Sequence, residues 1–133
     1  MALAAGDTFF APWPEKDAVE HLYFVISDPA LDSHRVVVVP LMTWDKYKEQ
    51  TCIIGKGEHP FVRHNSYIDY GSGCAREIDA ATIERNLQSK VWPSHAAASP
   101  DLLKKIRDGA GKSDFLPLDL RDILEDQELV DPL

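Results

Sequence analysis

Residues 58 to 71 read EHPFVRHNSYIDYG and bring His59, Arg63, His64, Ser66 and Tyr67 into one short polar stretch. Cleaving a phosphodiester by attack of a neighbouring 2′-hydroxyl needs a base on that hydroxyl, an acid on the departing 5′-oxygen and positive charge on the phosphate. The two imidazoles suit the proton transfers, and the guanidinium of Arg63, or that of Arg76 further along the chain, suits the charge and the binding of substrate. On this reading His59 and His64 are base and acid in either order, Arg63 holds the phosphate, and Ser66 and Tyr67 help to bind it. A second reading has His59 capping the turn ahead of Pro60, His64 as a solvated polar residue, and Ser66–Tyr67 as ordinary loop-to-strand sequence. If residues 63 and 64 are extended their side chains point to opposite faces, so a single site requires a bulge or bend there.

Other chemistries have less to stand on. No third or fourth ligand at usable spacing accompanies the histidine pair, so neither a metal nor a cofactor is expected. Cys52 and Cys74 are too few for a disulfide framework and form no C-x-x-C pair, which leaves two small buried side chains.

These residues must be positioned by the elements around them. GDTFFAPW reads as a first strand halted by Pro12 and Pro14. EHLYFVIS and HRVVVVPLMT are the strongest strand signals, joined by the turn-forming DPALDS, and TCII follows before GKGEHP. FVRHNSYIDY reads as one bulged strand or two short ones. After GSGC the pattern becomes helical. DAATIERNLQSK has Asp79 as N-cap with Ile83 and Leu87 on one face, and SPDLLKKIRDGAG has Ser99 at the cap and Pro100 at the first helical position. DLRDILED starts a third helix near Asp119, and VWPSHAAASP reads as a flexible linker. Strands joined by short turns, with no helical crossover among them, imply a mostly antiparallel sheet curled into a small barrel over about 6–78. Helices over about 79–130 then cover its open side.

The chain has 133 residues, 44% of them hydrophobic, which suits a single domain with one core. No run of 18 apolar residues occurs and MALAAG is too short and uncharged for a signal peptide, so a cytoplasmic protein without membrane contact is expected. The net charge of −8 argues against nucleic acid, yet −6 of it falls in residues 114–133 and only −2 in the first 113. Arg35, Lys46, Lys48, Lys56 and Arg63, with His34, His59 and His64, make a mildly basic middle segment or a set of scattered solvated charges. The acidic end, with Leu120, Ile123 and Leu124 as an apolar stripe, reads as a flap over that segment or one exchangeable with an acidic partner. Trp13, Trp44, Trp92, Tyr23, Tyr47 and Tyr67 supply rings for base stacking or for the core. WDKYKE, with Trp44 and Lys46, fits a nucleic-acid-facing loop or a solvated turn.

The order of features also carries a resemblance: GD before strand one, a H…VIS strand, a VVVVPLMT strand ending in threonine, and AREID opening into a helix. Over roughly residues 6 to 90 the chain resembles the MazF/PemK-like family of growth-inhibiting toxins. That resemblance implies a mainly β fold, a small antiparallel SH3-like barrel of the MazF/CcdB-like kind with a C-terminal helix, which the helical patterns read above extend to two or three helices. It also implies a toxin of a toxin–antitoxin system that cuts single-stranded RNA without a metal, a homodimer, and an antitoxin protein as partner. Thr43 falls on the family's catalytic threonine, and Arg76, Ile78 and Asp79 fall on the segment before its helix. Where family members carry arginine and proline before the second strand, this sequence reads His21, Leu22, Tyr23. A dimer is implied independently by the unprotected edges of a small sheet. Two other classes fit the same residues: a non-catalytic SH3-like binding module, and a toxin-like protein acting through a protein partner.

Overall fold

The computed structural model describes residues 2–12, 19–46 and 48–133. Trp13, Pro14 and Tyr47, read above as rings and as a strand stop, lie outside the described residues. Among the described residues seven strands and three helices follow in chain order: β1 Thr8–Ala11, β2 His21–Val25, β3 Val36–Thr43, β4 Ile53–Ile54, β5 Ser66–Ile68, β6 Arg76–Ile78, α1 Ala80–Gln88, β7 Ser94–His95, α2 Pro100–Lys112 and α3 Leu118–Asp126. The strand pairings are all antiparallel. Sheet order is β4-β5-β3-β2-β1-β7, with β6 also on β3. Among the described residues β4 and β7 end the path without meeting, so the sheet is open and barrel closure is not seen.

β2 and β3 read as unbroken apolar runs because both of their faces are buried. Leu22, Phe24, Val37, Val39 and Leu41 join Leu102, Ile106 and Ala110 of α2 and Leu120, Ile123 and Leu124 of α3 in the main core. The alternating residues Tyr23, Val25, Val36 and Val38 pack with Phe9, Ile83 and Trp92 in a second core under α1. Pro40 sits inside β3 without disrupting it. Its carbonyl accepts from Asp69 N–H at 3.2 Å, and its missing N–H falls on the same side, between the β6 pairing of Val36–Val38 and the β5 pairing of Leu41–Thr43. β3 therefore changes partner at the one residue that has no donor to offer.

Both helix caps read from the sequence are present: Asp79 accepts from Ala81 N–H and Ser99 from Leu102 N–H. VWPSHAAASP, expected to be a linker, is instead tied into the fold. Thr8↔His95 and Phe9↔Ser94 pair β7 to β1, Trp92 is buried, and Ala98 N–H donates to the Gly6 carbonyl at 2.9 Å. A two-residue strand is too short to show any periodicity, which is why composition alone suggested flexibility. Nor is the C-terminal segment a flap over the middle of the chain. Its apolar stripe is part of the main core, and Arg121, 5% exposed, donates to the carbonyls of Gly111 and Asp131 at 2.8 Å each.

α2 meets the sheet at a glycine. Tyr70 is fully buried, donates its hydroxyl to the Ile106 carbonyl at 2.7 Å, and lies against Gly109. A Cβ at Gly109 would run into the Tyr70 hydroxyl and come within 3.0 Å of Cys52 Cβ. Gly109→Ala is therefore expected to be destabilising on balance by up to about 2 kcal/mol, the overpacking alone costing about 1–3 kcal/mol. That outweighs the ~1 kcal/mol that alanine gains in a helix interior. Urea unfolding measures it; a variant more stable than wild type would show that Tyr70 yields freely.

Candidate active-site cleft

The β2–β3 ladder runs from Val25↔Val38 to Tyr23↔Pro40 and stops, while β3 continues to Thr43 on β5. Where the two strands part, a cleft of about 340 Å³ opens. Glu20 and His21 line it from the start of β2, Leu41, Met42 and Thr43 from the end of β3, and the Phe61–His64 stretch with Ser66 from the approach to β5. Thr43 Oγ1 lies 3.4 Å from His64 Nε2, the outer limit of a hydrogen bond whose direction depends on the imidazole tautomer. The chain bends at His64. That bend meets the condition the sequence imposed, and Arg63 and His64 both line the one cleft. Arg63 is exposed and has no ion-pair partner among the described residues. Ser66, opposite Thr43 in the β3–β5 pairing, is 5% exposed and donates its hydroxyl to the His64 carbonyl at 3.1 Å, which fixes the bend.

His59 is placed differently. It does not line the cleft; it is 3% exposed, with Nε2 2.7 Å from the Ala96 carbonyl and Nδ1 accepting from Phe61 N–H at 3.1 Å. Those partners fix a neutral ring with its proton on Nε2. Burial lowers its pKa from the ordinary histidine value, and nearby His95 pushes the same way, against the Ala96 carbonyl. The turn-capping reading thus describes its contacts, and both nitrogens are occupied.

Because the folded-state pKa lies below the unfolded one, the unfolded chain takes up the proton first as pH falls. The stability due to neutral His59 is complete above an unfolded pKa of about 6.5 and is lost as pH drops through it toward the folded value. His21, also lowered by burial, adds to the same slope. Urea midpoints between pH 7.5 and 5.5 should therefore fall more steeply in wild type than in His59→Gln, which does not titrate. Parallel curves would refute the buried neutral imidazole.

The remaining residues singled out from sequence do not line the cleft. Tyr67, on the opposite face of β5 from Ser66, is 5% exposed and donates to Asp69 at 3.5 Å; burial and then the Asp69 charge push its pKa up to about 12. Arg76, on β6, reaches the Tyr23 hydroxyl, whose pKa burial raises to about 12 against the pull of that guanidinium. Trp44 is half-buried just past β3, its backbone N–H donating to the Asn65 carbonyl at 3.2 Å, and Lys46 is exposed in the following turn. Sequence reasoning missed Glu20, His21 and Phe61. The first two had a signal, since they sit at or beside the place where the family pattern has its arginine and proline. No protein-family model matches the chain, and no curated protein matches it either.

Proposed function

We propose that the chain is a metal-independent endoribonuclease that cuts single-stranded RNA in the cleft between β2, β3 and the Phe61–His64 stretch. One observation carries this reading: the Thr43–His64 contact lies in a cleft that also collects Arg63 and Glu20. Within β2, alternation puts His21 on the side of Tyr23 and away from that of Leu22 and Leu41, while Glu20, the residue just ahead of the strand, lines the cleft. Glu20 is therefore given the base's role that the sequence offered to His59.

The Glu20 carboxylate takes the proton of the 2′-hydroxyl, whose oxygen attacks the adjacent phosphorus. The bond from phosphorus to the 5′-oxygen breaks as His64 gives that oxygen a proton, leaving a 2′,3′-cyclic phosphate and a 5′-hydroxyl. Arg63 holds the charge that builds on the phosphate, and Thr43 bonds a non-bridging oxygen while steadying the imidazole. Placing Arg63 here supplies the cation that the family pattern takes from the residue replaced before β2.

The resemblance supports three further parts of the proposal: that the open sheet is a form of the small SH3-like barrel, that the chain works as a homodimer, and that it is the toxin of a toxin–antitoxin pair held inactive by a partner protein. The deciding experiment incubates purified protein with single-stranded RNA and a chelator and looks for cyclic phosphate ends. Intact RNA would overturn the enzyme and leave an SH3-like binding module.

A further inference from the structure

Among the described residues Phe61 is the one phenyl, phenol or indole ring that lines the cleft, and it is 42% exposed. Its position is built rather than accidental. The ring meets Phe10 edge-on at 5.1 Å between centroids and His95 edge-on at 5.8 Å. Below it, Phe61 N–H donates to His59 Nδ1 and Val62 N–H to the His59 carbonyl at 3.0 Å, so the backbone carrying the ring is pinned to a buried side chain. A large apolar surface held rigid and open to water, next to a guanidinium with no ion-pair partner among the described residues, loses little entropy when a flat ligand covers it. Val19, 81% exposed, adds a second apolar surface to the same cleft.

We propose that Phe61 is the base-stacking platform of the cleft, holding one unstacked nucleobase of a single-stranded RNA beside Arg63 and His64. The inference rests on the RNA reading of the cleft and narrows its substrate. Every base has a π face, so a ring of this kind accepts any sequence, whereas a duplex keeps its bases stacked on one another and out of reach. The cleft's volume lies at the low end of small-molecule sites, about 300–1,000 Å³, and suits a single nucleotide unit. Charge sharpens the case. Among the described residues Arg63 is the one full cation lining the cleft, Glu20 opposes it, and the whole chain carries −8. Counterion release can contribute little here, so stacking must supply a larger share of the binding than in basic RNA-binding proteins.

The test measures fluorescence anisotropy of an uncleavable 2′-fluoro RNA oligomer with wild type, Phe61→Leu and Phe61→Trp across a salt series. Phe61→Leu keeps apolar contact with Phe10 but has no π face, and it should bind about 5- to 100-fold more weakly. Phe61→Trp should bind at least as well as wild type. All three should share a shallow salt dependence, with a slope near −0.7 for about one phosphate contact. A duplex of the same sequence should gain nothing from Phe61. Equal binding by wild type and Phe61→Leu, or no binding by wild type, overturns the proposal. Cleavage that proceeds with Phe61-independent binding sinks the platform alone, while Phe61-dependent binding without cleavage sinks the catalytic reading alone.

Discussion

A chain truncated after Lys112 is expected to lose its cooperative fold altogether. The deletion removes Leu116, Leu120, Ile123 and Leu124, which are 6%, 3%, 3% and 0% exposed and all belong to the main core. At about 1.5–3 kcal/mol for each buried side chain of this size, the loss is ~6–12 kcal/mol. That is comparable with the whole stability of an ordinary domain, ~5–15 kcal/mol. The apolar faces of α2 and the sheet would be uncovered at the same time. The segment also holds the loop after β2, through Gln127, which accepts from Asp28 N–H at 2.7 Å, and the Asp119 carbonyl, which accepts from Arg35 at 3.4 Å. Near-ultraviolet circular dichroism and urea unfolding decide the matter. A truncated chain with a native spectrum and a sharp transition would restore the detachable acidic flap that the charge pattern suggested.

The second large effect concerns the cleft. His64→Ala and Glu20→Gln are each expected to slow RNA cleavage by about 10²- to 10⁴-fold, the usual cost of losing a general acid or base. Arg63→Ala should cost about 10²- to 10³-fold, as loss of one group that stabilises transition-state charge does. Glu20, Arg63 and His64 are all exposed, so unfolding midpoints should stay within about 0.5 kcal/mol of wild type and the losses should report chemistry. His59→Gln and His21→Gln should keep cleavage within about tenfold, because neither side chain has a proton-transfer role here. Rates unchanged in His64→Ala and Arg63→Ala would remove the site, and a full loss in His59→Gln at unchanged stability would return the base's role to His59.

The sequence showed most where side-chain type and backbone state coincide. β-branched and aromatic runs gave β2 and β3, Asp79 and the Ser99–Pro100 pair gave the starts of α1 and α2, and strand-first order gave an antiparallel sheet. It showed least where a residue's meaning depends on a distant backbone atom. His59 and His64 look alike in the chain, yet one faces the Ala96 carbonyl inside the protein and the other a cleft. Counting acids in residues 114–133 hid an amphipathic helix, since Asp119, Asp122 and Asp126 take the solvent side while Leu120, Ile123 and Leu124 pack inward. Arg121, one cation among seven acids, is buried and serves the backbone carbonyls of its own neighbourhood. Glu20 and His21 were not read as site residues, because an acid and a histidine at the start of a strand are ordinary until the strand pair beyond them splays open.

The Ala96 carbonyl accepts from Thr8 Oγ1 at 2.8 Å and contacts His59 Nε2 at 2.7 Å, joining three stretches of chain that lie far apart in sequence. The polar groups that line the cleft all lie within the first 66 residues, but the turn that presents Arg63 and His64 is anchored to a residue 37 positions beyond His59. Closing such long loops is slow and unrewarded until the far contact exists. During synthesis, therefore, a nascent chain that already contains every cleft residue still lacks the wall that orients them. The site takes shape only after β7 has docked on β1 and α3 has covered the core, so any activity switches on once the stretch through α3 has been made rather than growing as the chain lengthens.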